Sequence, residues 1–359
     1  MTTAGMPPRV LPQAASRDFR IDAAKAVGIV LVVLGHAKGC PPWLVMLLYS
    51  FHVPLFFWLA GAVVSDARLA ETPAMTLRRL GRTLLLPYVF FFFAAYAYWL
   101  LTRGIGDKAL RWGSQPWWEP LQGFVTGNGV LLYVDPALWF LPALFVTAFA
   151  YALLRQRFGG RTTALAAVVC GVAWAALFPA LGLRLPFALD ILPVALVFYA
   201  LGAVLRGLPG VSVGGTRGVA TLAVLAALWL GAAWFNGRVD LNHLRFGAAL
   251  PLYLISALAG TAVCLILVAR LPDSRVLRWL ARNSLLIFAS HMLSFSVMSG
   301  VATVAGLRPA EVGIGWALGS SALAILACVP LRWLMLTLAP WALGVARPAP
   351  ALGTMERVA

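Results

Sequence analysis

The sequence predicts an all-α, polytopic membrane protein with about ten transmembrane helices and both termini in the cytoplasm. Three observations lead there. Of the 359 residues, 62% are hydrophobic and only 11% charged, whereas a soluble domain carries about a quarter charged residues. The apolar residues gather into stretches near the roughly 20 residues needed to cross a bilayer, joined by short loops rich in Gly, Pro and Arg. With the N-terminus placed inside, most of the 28 Lys and Arg residues fall in the loops of the inner side, as the positive-inside rule requires. That rule also accounts for the net charge of +16, so no nucleic-acid partner is expected.

The stretches lie at about 22–40, 44–64, 83–101, 137–154, 162–181, 187–205, 218–235, 247–269, 284–302 and 313–338. They define a transmembrane domain over 21–340, between a cytoplasmic N-terminal segment at 1–20 and a cytoplasmic tail at 341–359. One longer insertion, 102–136, is rich in Trp and Gly. The first stretch looks like a signal peptide, but it is charged within, lacks an A-x-A end and is followed by further spans, so it is expected to stay. Cys40, Cys170, Cys264 and Cys328 are scattered without a close pair, which argues against a disulfide framework or a thiolate metal site.

The first stretch, "DAAKAVGIVLVVLGH", carries Asp22, Lys25 and His36. Lys25 and His36 are eleven residues apart, about three helical turns, so both project from one face some ~16 Å apart along the axis. Asp22 lies three residues before Lys25, on nearly the same face. Ionisable groups in a span face a cavity or a partner by default, and this stripe reads as the wall of a polar passage. The second stretch, "SFHVPLFFWLAG", places His52 in the outer half of its helix, where an antiparallel neighbour brings it to the depth of His36.

The third is preceded by "LRRLGRTLLLPY", in which Arg78, Arg79 and Arg82 flank the inner helix end. Arg79 and Arg82, three apart, are set to grip a phosphate with forked donors; an anchor at the lipid headgroups is the other reading. Asp135 precedes the fourth stretch, and Asp190 stands near the outer end of the sixth. Either carboxylate can bind a hydroxyl, orient a histidine or cap its helix. His243 lies in the outer loop "VDLNHLRFG", and His291, in "SLLIFASHML", falls a third to half way along the ninth stretch. Each histidine is either a structural imidazole bonded to a neighbouring helix or a functional one. No H-E-x-x-H or other close ligand cluster points to a metal.

These segments, taken in order, resemble the integral-membrane acyltransferase-3 family, bacterial O-acetylases of surface and secreted glycans, and among them the members similar to fucose acetylases. The family's first helix reads acidic residue, basic residue, ten residues, His, which Asp22, Lys25 and His36 match in spacing. Many members carry Arg where this chain has Lys25, exchanging a fork for a point charge. "FHVPLFFWLAG", "RRLGRTLLLPY", "LWFLPAL", "FYALG", "DLNHLRFG" and "NSLLIFASH" follow in the family's order, from about Arg17 to the late helices.

The resemblance implies transfer of an acetyl group from acetyl-CoA to a sugar hydroxyl of an exopolysaccharide or other cell-surface glycan, for example a mannose of a lipid-linked repeat unit. It also implies a multi-pass protein of the bacterial inner membrane. On this reading His36 is the general base or the nucleophile, Lys25 positions the donor and Asp22 holds Lys25. Arg78, Arg79 and Arg82 take the phosphates of acetyl-CoA, and His52, Asp135, Asp190 and His291 serve binding or relay. The expected partners are a glycan or lipid-linked oligosaccharide, membrane lipids and other polysaccharide-assembly proteins; no metal is expected. The alternative function is a transporter or flippase, which predicts repeat symmetry and paired broken helices.

Overall fold

A computed structural model describes residues 18–127, 129–206, 215–306 and 313–344. The expected cytoplasmic segments therefore lie largely outside the described residues. Within them every regular element is helical, apart from one isolated antiparallel bridge between Asp240 and Arg245. The chain is a multi-pass membrane protein.

Nine helices among the described residues are long and apolar enough to cross a membrane. Together with the first helix they are, in chain order, α1 (Phe19–His36), then α2 (Pro42–Ala62), α3 (Pro73–Thr102), α4 (Pro136–Phe158), α5 (Gly160–Leu181), α6 (Pro186–Val204), α7 (Gly215–Asn236), α8 (Leu250–Val268), α9 (Ser284–Val304) and α10 (Gly313–Leu338). Helix α1 falls short of the apolar standard because Arg20, Asp22 and Lys25 crowd its first two turns. It is instead a hub, packed against α2, α8, α9 and α10 and against the short helix Arg275–Arg282 that precedes α9. Its start is fixed by Asp18, whose carboxylate accepts the Arg20 backbone N–H at 2.9 Å, the favoured N-cap arrangement.

The layering follows burial. Helices α6 and α4 are the most enclosed, with 67% and 61% of their most apolar stretches buried, while α7 has 17% and presents most of its surface to lipid. Helices α2 and α6 approach closely because each offers a glycine. A Cβ on Gly61 would collide with the Tyr199 carbonyl, and one on Gly202 with the Trp58 carbonyl. Small residues at such crossings let backbones pack directly, the main attraction between helices in lipid.

The bundle has two unlike ends. At the basic end Asp66 pairs with Arg155 and Arg206, Arg79 with Glu71, and Arg278 with Asp273. Arg206 first, then Arg155, holds the Asp66 carboxyl below the usual carboxylate range. The opposite end carries the helices Asp107–Trp112 and Glu119–Thr126 of the expected insertion and a hairpin over residues 237–249.

Two irregularities bear on the site. Helix α2 is broken into Pro42–Tyr49 and His52–Ala62. Pro54 lacks an N–H for the Ser50 carbonyl and its ring crowds that carbonyl, so the helix stops and restarts. In α3 the residues Gly81–Leu85 form a π-helical turn between Leu80 and Leu86, a feature that tends to mark functional sites.

Candidate functional site

At the break in α2 the Leu48 carbonyl accepts the Phe51 backbone N–H at 3.3 Å and also the His52 imidazole, through Nδ1, at 2.6 Å. His36, in the last turn of α1, bonds the Val32 carbonyl through Nδ1 at 2.8 Å, and His291 bonds the Phe288 carbonyl through Nδ1 at 2.6 Å. A carbonyl oxygen only accepts, so each Nδ1 must carry the hydrogen. In the neutral ring the proton is thereby excluded from Nε2, which keeps a free lone pair. All three rings are held in the tautomer that a general base requires.

The three imidazoles come from α1, α2 and α9 and form a chain with Tyr49, in the order His291, His36, Tyr49, His52. The His36 and His291 rings are 5.1 Å apart edge to face, His36 and Tyr49 5.7 Å, and Tyr49 and His52 4.8 Å. His52 and His291 are buried, and the Nε2 of His291 has no hydrogen-bond partner. His36, Tyr49 and His52 line a cavity of about 230 Å³ walled by Val32, Phe56, Trp139, Phe140 and Phe288 and closed on one side by Asp240 and Asn242. Among the described residues no group of three or more His, Cys, Asp or Glu is placed to hold a metal ion.

A second cavity, about 320 Å³, lies toward the basic end. Lys25, Arg68 and Arg79 stand on its wall with Thr83 and Tyr199. The two cavities adjoin along Phe56, Leu84, Phe140, Leu144 and Ser284, which line both. The unbroken helix α1 spans the pair, with Lys25 on the lower wall and His36 on the upper. Eleven residues of helix separate them by about 16 Å.

Of the three arginines singled out in the sequence, Arg79 reaches the cavity, where Glu71 holds its Nε at 2.8 Å. Arg78 and Arg82 are exposed and line neither cavity. The π-helical turn at 81–85 advances fewer degrees per residue than an α-helix, which takes Arg82 off the face of Arg79. Arg68, from the short helix Asp66–Leu69, stands beside Arg79 instead. Asp22 is buried at the foot of α1, where Arg278 feels its charge.

The two outer carboxylates lie elsewhere. Asp190 is fully buried and meets Arg184 at 3.0 Å, while Arg184 also donates to the Asn242 carbonyl at 2.9 Å. It thus braces the hairpin from behind the cavity. Asp135 is fully buried before the 3-10 turn that opens α4, and neither carboxyl oxygen has a hydrogen-bond partner. Burial pushes its carboxyl well above the usual range; the nearby backbone N–H groups of Ala137 and Leu138 pull the other way without reaching hydrogen-bond geometry. His243 is half-buried and gives its Nδ1 hydrogen to Asp240 at 2.8 Å.

Sequence reasoning missed Tyr49, Arg68, Asp240, Asn242 and Ser284. A signal existed for three of them: Tyr49 stands three residues before His52, and Asp240 and Asn242 sit in the "VDLNHLRFG" segment noticed for His243.

A family model described as an acyltransferase domain matches residues 18–333. No curated protein and no solved structure matches the chain.

Proposed function

Since the matched region spans well over half of the chain and the protein therefore belongs to the acyltransferase-3 family, we propose that this membrane acyltransferase moves an acetyl group from acetyl-CoA to a sugar hydroxyl of an exopolysaccharide or other cell-surface glycan. The observation that carries the proposal is the pair of adjoining cavities, with cations at one end and a proton-accepting imidazole at the other.

The donor's chemistry fits this wall. Its phosphates call for cations, which Lys25, Arg68 and Arg79 offer, and its long thin arm calls for an apolar lining, which Phe56, Leu84, Phe140 and Leu144 offer. By the positive-inside rule the basic end faces the cytoplasm, where acetyl-CoA is found. Acetyl-CoA supplies an activated thioester; the rest is the work of this chain. His36 Nε2 takes the proton of the acceptor hydroxyl as its oxygen attacks the thioester carbonyl carbon. The C–S bond breaks, and the His36 imidazolium returns that proton to the departing thiolate. A positioned base of this kind contributes about 10²–10⁴-fold. The Val32 carbonyl, by holding Nδ1–H, aims the ring and accepts a stronger hydrogen bond once the ring is charged.

The enzyme works, on this proposal, in the bacterial inner membrane, with lipid-linked glycans as acceptors and other polysaccharide-assembly proteins as neighbours. The test incubates membranes containing the protein with radiolabelled acetyl-CoA and a lipid-linked glycan, beside membranes with His36→Ala. Label on the glycan with wild type alone supports both the acetylase and the role of His36. Equal label from both removes His36 from the chemistry. Absence of acetyl-CoA binding by the wild type would favour the transporter.

A further inference from the structure

The histidine cavity ends, away from the cations, at a hairpin whose polar groups the transfer chemistry leaves unused. Asp240 and Arg245 exchange both backbone hydrogen bonds, at 2.8 and 2.9 Å. Asn236 at the end of α7 ties the base: its side chain donates to the Phe246 carbonyl at 2.7 Å and accepts the Ala249 N–H at 2.9 Å. The tip is held as firmly, since Arg184, paired with the buried Asp190, grips the Asn242 carbonyl. On the other side Gly129 packs so closely that any Cβ there would collide with the Asn242 amide. The Asn242 side chain is therefore fixed in place.

What it presents is an acceptor. Asn242 is only 6% exposed, lines the cavity, and its Oδ1 has no hydrogen-bond partner. A buried oxygen left unsatisfied costs free energy unless a donor arrives. Asp240 lines the same cavity; its carboxylate accepts from the His243 ring at 2.8 Å and the His243 backbone N–H at 3.3 Å, and retains lone pairs beyond those two bonds. Both groups stand in the cavity of His36, together with the Trp139 indole and the Tyr49 ring. Two hydrogen-bond acceptors and an aromatic wall beside a general base suit a ligand that brings several hydroxyl donors on a small, flat-faced ring.

We infer that Asn242 and Asp240 form the acceptor subsite, in which hydroxyls flanking the reacting one donate to Asn242 Oδ1 and to the Asp240 carboxylate. The inference rests on the glycan acetylation proposed above and deepens it: the substrate class is a sugar with free hydroxyls next to the one that is acetylated. The transfer step is unchanged, with the hydroxyl proton passing to His36 and the thiolate leaving. Water, or an alcohol with a single hydroxyl, leaves Asn242 Oδ1 unpaired, and a site built to bond a substrate hydroxyl discriminates strongly against analogues that lack it.

The test uses the full chain in lipid nanodiscs, radiolabelled acetyl-CoA, and lipid-linked glycan extracted from the cells that produce the protein. Transfer to glycan and acceptor-free hydrolysis of acetyl-CoA are measured side by side. Asn242→Leu keeps the shape and removes the acceptor; Asp240→Asn keeps an oxygen for the His243 backbone N–H and removes the charge. The expected result is a KM for glycan raised about tenfold or more in each variant. The KM for acetyl-CoA stays at the wild-type value, which also reports that the variants are folded, and hydrolysis falls less than transfer to glycan does. An unchanged glycan KM in both variants overturns the subsite, and so does hydrolysis falling in step with transfer, because the two residues would then be supporting His36. Wild type that splits acetyl-CoA yet labels no glycan overturns the glycan proposal itself, and the subsite with it.

Discussion

The two ends of the paired cavities are built by opposite means. At the basic end the cations are half-exposed or exposed: Arg79 leans on Glu71, with Arg68 and Lys25 on the same wall. At the other end no cation among the described residues lines the cavity, and the rings of His36, His52 and His291 are each fixed by a carbonyl of their own helix or of the helix just broken. Charges in reach of water are tunable, screened by salt and tolerant of small displacements. Buried imidazoles with one nitrogen committed are neither. Under the proposed function, holding falls to one end and chemistry to the other.

The sharpest way to break that contrast is at His36. Replacing it with Gln is expected to lower the transfer rate by about 10²–10⁴-fold while leaving the affinity for acetyl-CoA unchanged, as read by single-turnover label transfer beside equilibrium binding. At the opposite end Arg79→Gln and Lys25→Gln should each raise the KM for acetyl-CoA roughly tenfold, the size expected for loss of a charge-assisted hydrogen bond. Their kcat should hold. Raising the salt concentration should mimic these variants in the wild type, since exposed cations are screened. Arg82→Gln, whose side chain is exposed beyond the π-helical turn, should shift that KM by no more than about twofold.

The smallest effect is on stability. Burial raises the Asp135 carboxyl in the folded state above the ~3.9 of an unfolded chain. The folded protein then holds a proton that the unfolded chain gives up. The contribution of this group to stability is accordingly fully present below about pH 4 and is lost as pH rises toward and through the folded value. Asp135→Asn should flatten that decline in thermal unfolding of the nanodisc protein, with wild type and variant diverging upward from about pH 4.

Much of this was legible in the sequence, because lipid leaves a helix few options. Runs of apolar residues of bilayer length had to be helices, and all ten expected stretches fall on helices in the structure. The face shared by Lys25 and His36 follows from helical period alone, and an unbroken α1 preserves it. What eluded the sequence depends on local departures from that period or on contacts distant in the chain. The relation of Arg79 to Arg82 presumed an α-helical turn where the backbone widens to a π turn. Asp190 reads as a lone carboxylate until Arg184, six residues earlier and across a turn, is seen to reach it. Asp240 and Asn242 sit in a loop whose pairing through Arg245, and whose lean on Arg184, no periodicity announces. The tautomer of the histidines, on which the proposed chemistry turns, is set by carbonyls three and four residues away. Spacing marks such neighbours without telling which nitrogen they take.

The division of labour between the two ends is tested most directly by one paired measurement. On the same nanodisc preparations, acetyl-CoA affinity and single-turnover acetyl transfer are determined for wild type, His36→Gln and Arg79→Gln. The account predicts a crossed result: His36→Gln binds donor like wild type and transfers almost nothing, while Arg79→Gln binds donor weakly and, once saturated, transfers at the wild-type rate. Donor binding lost in His36→Gln in proportion to transfer, or transfer at full rate without this imidazole, would contradict it.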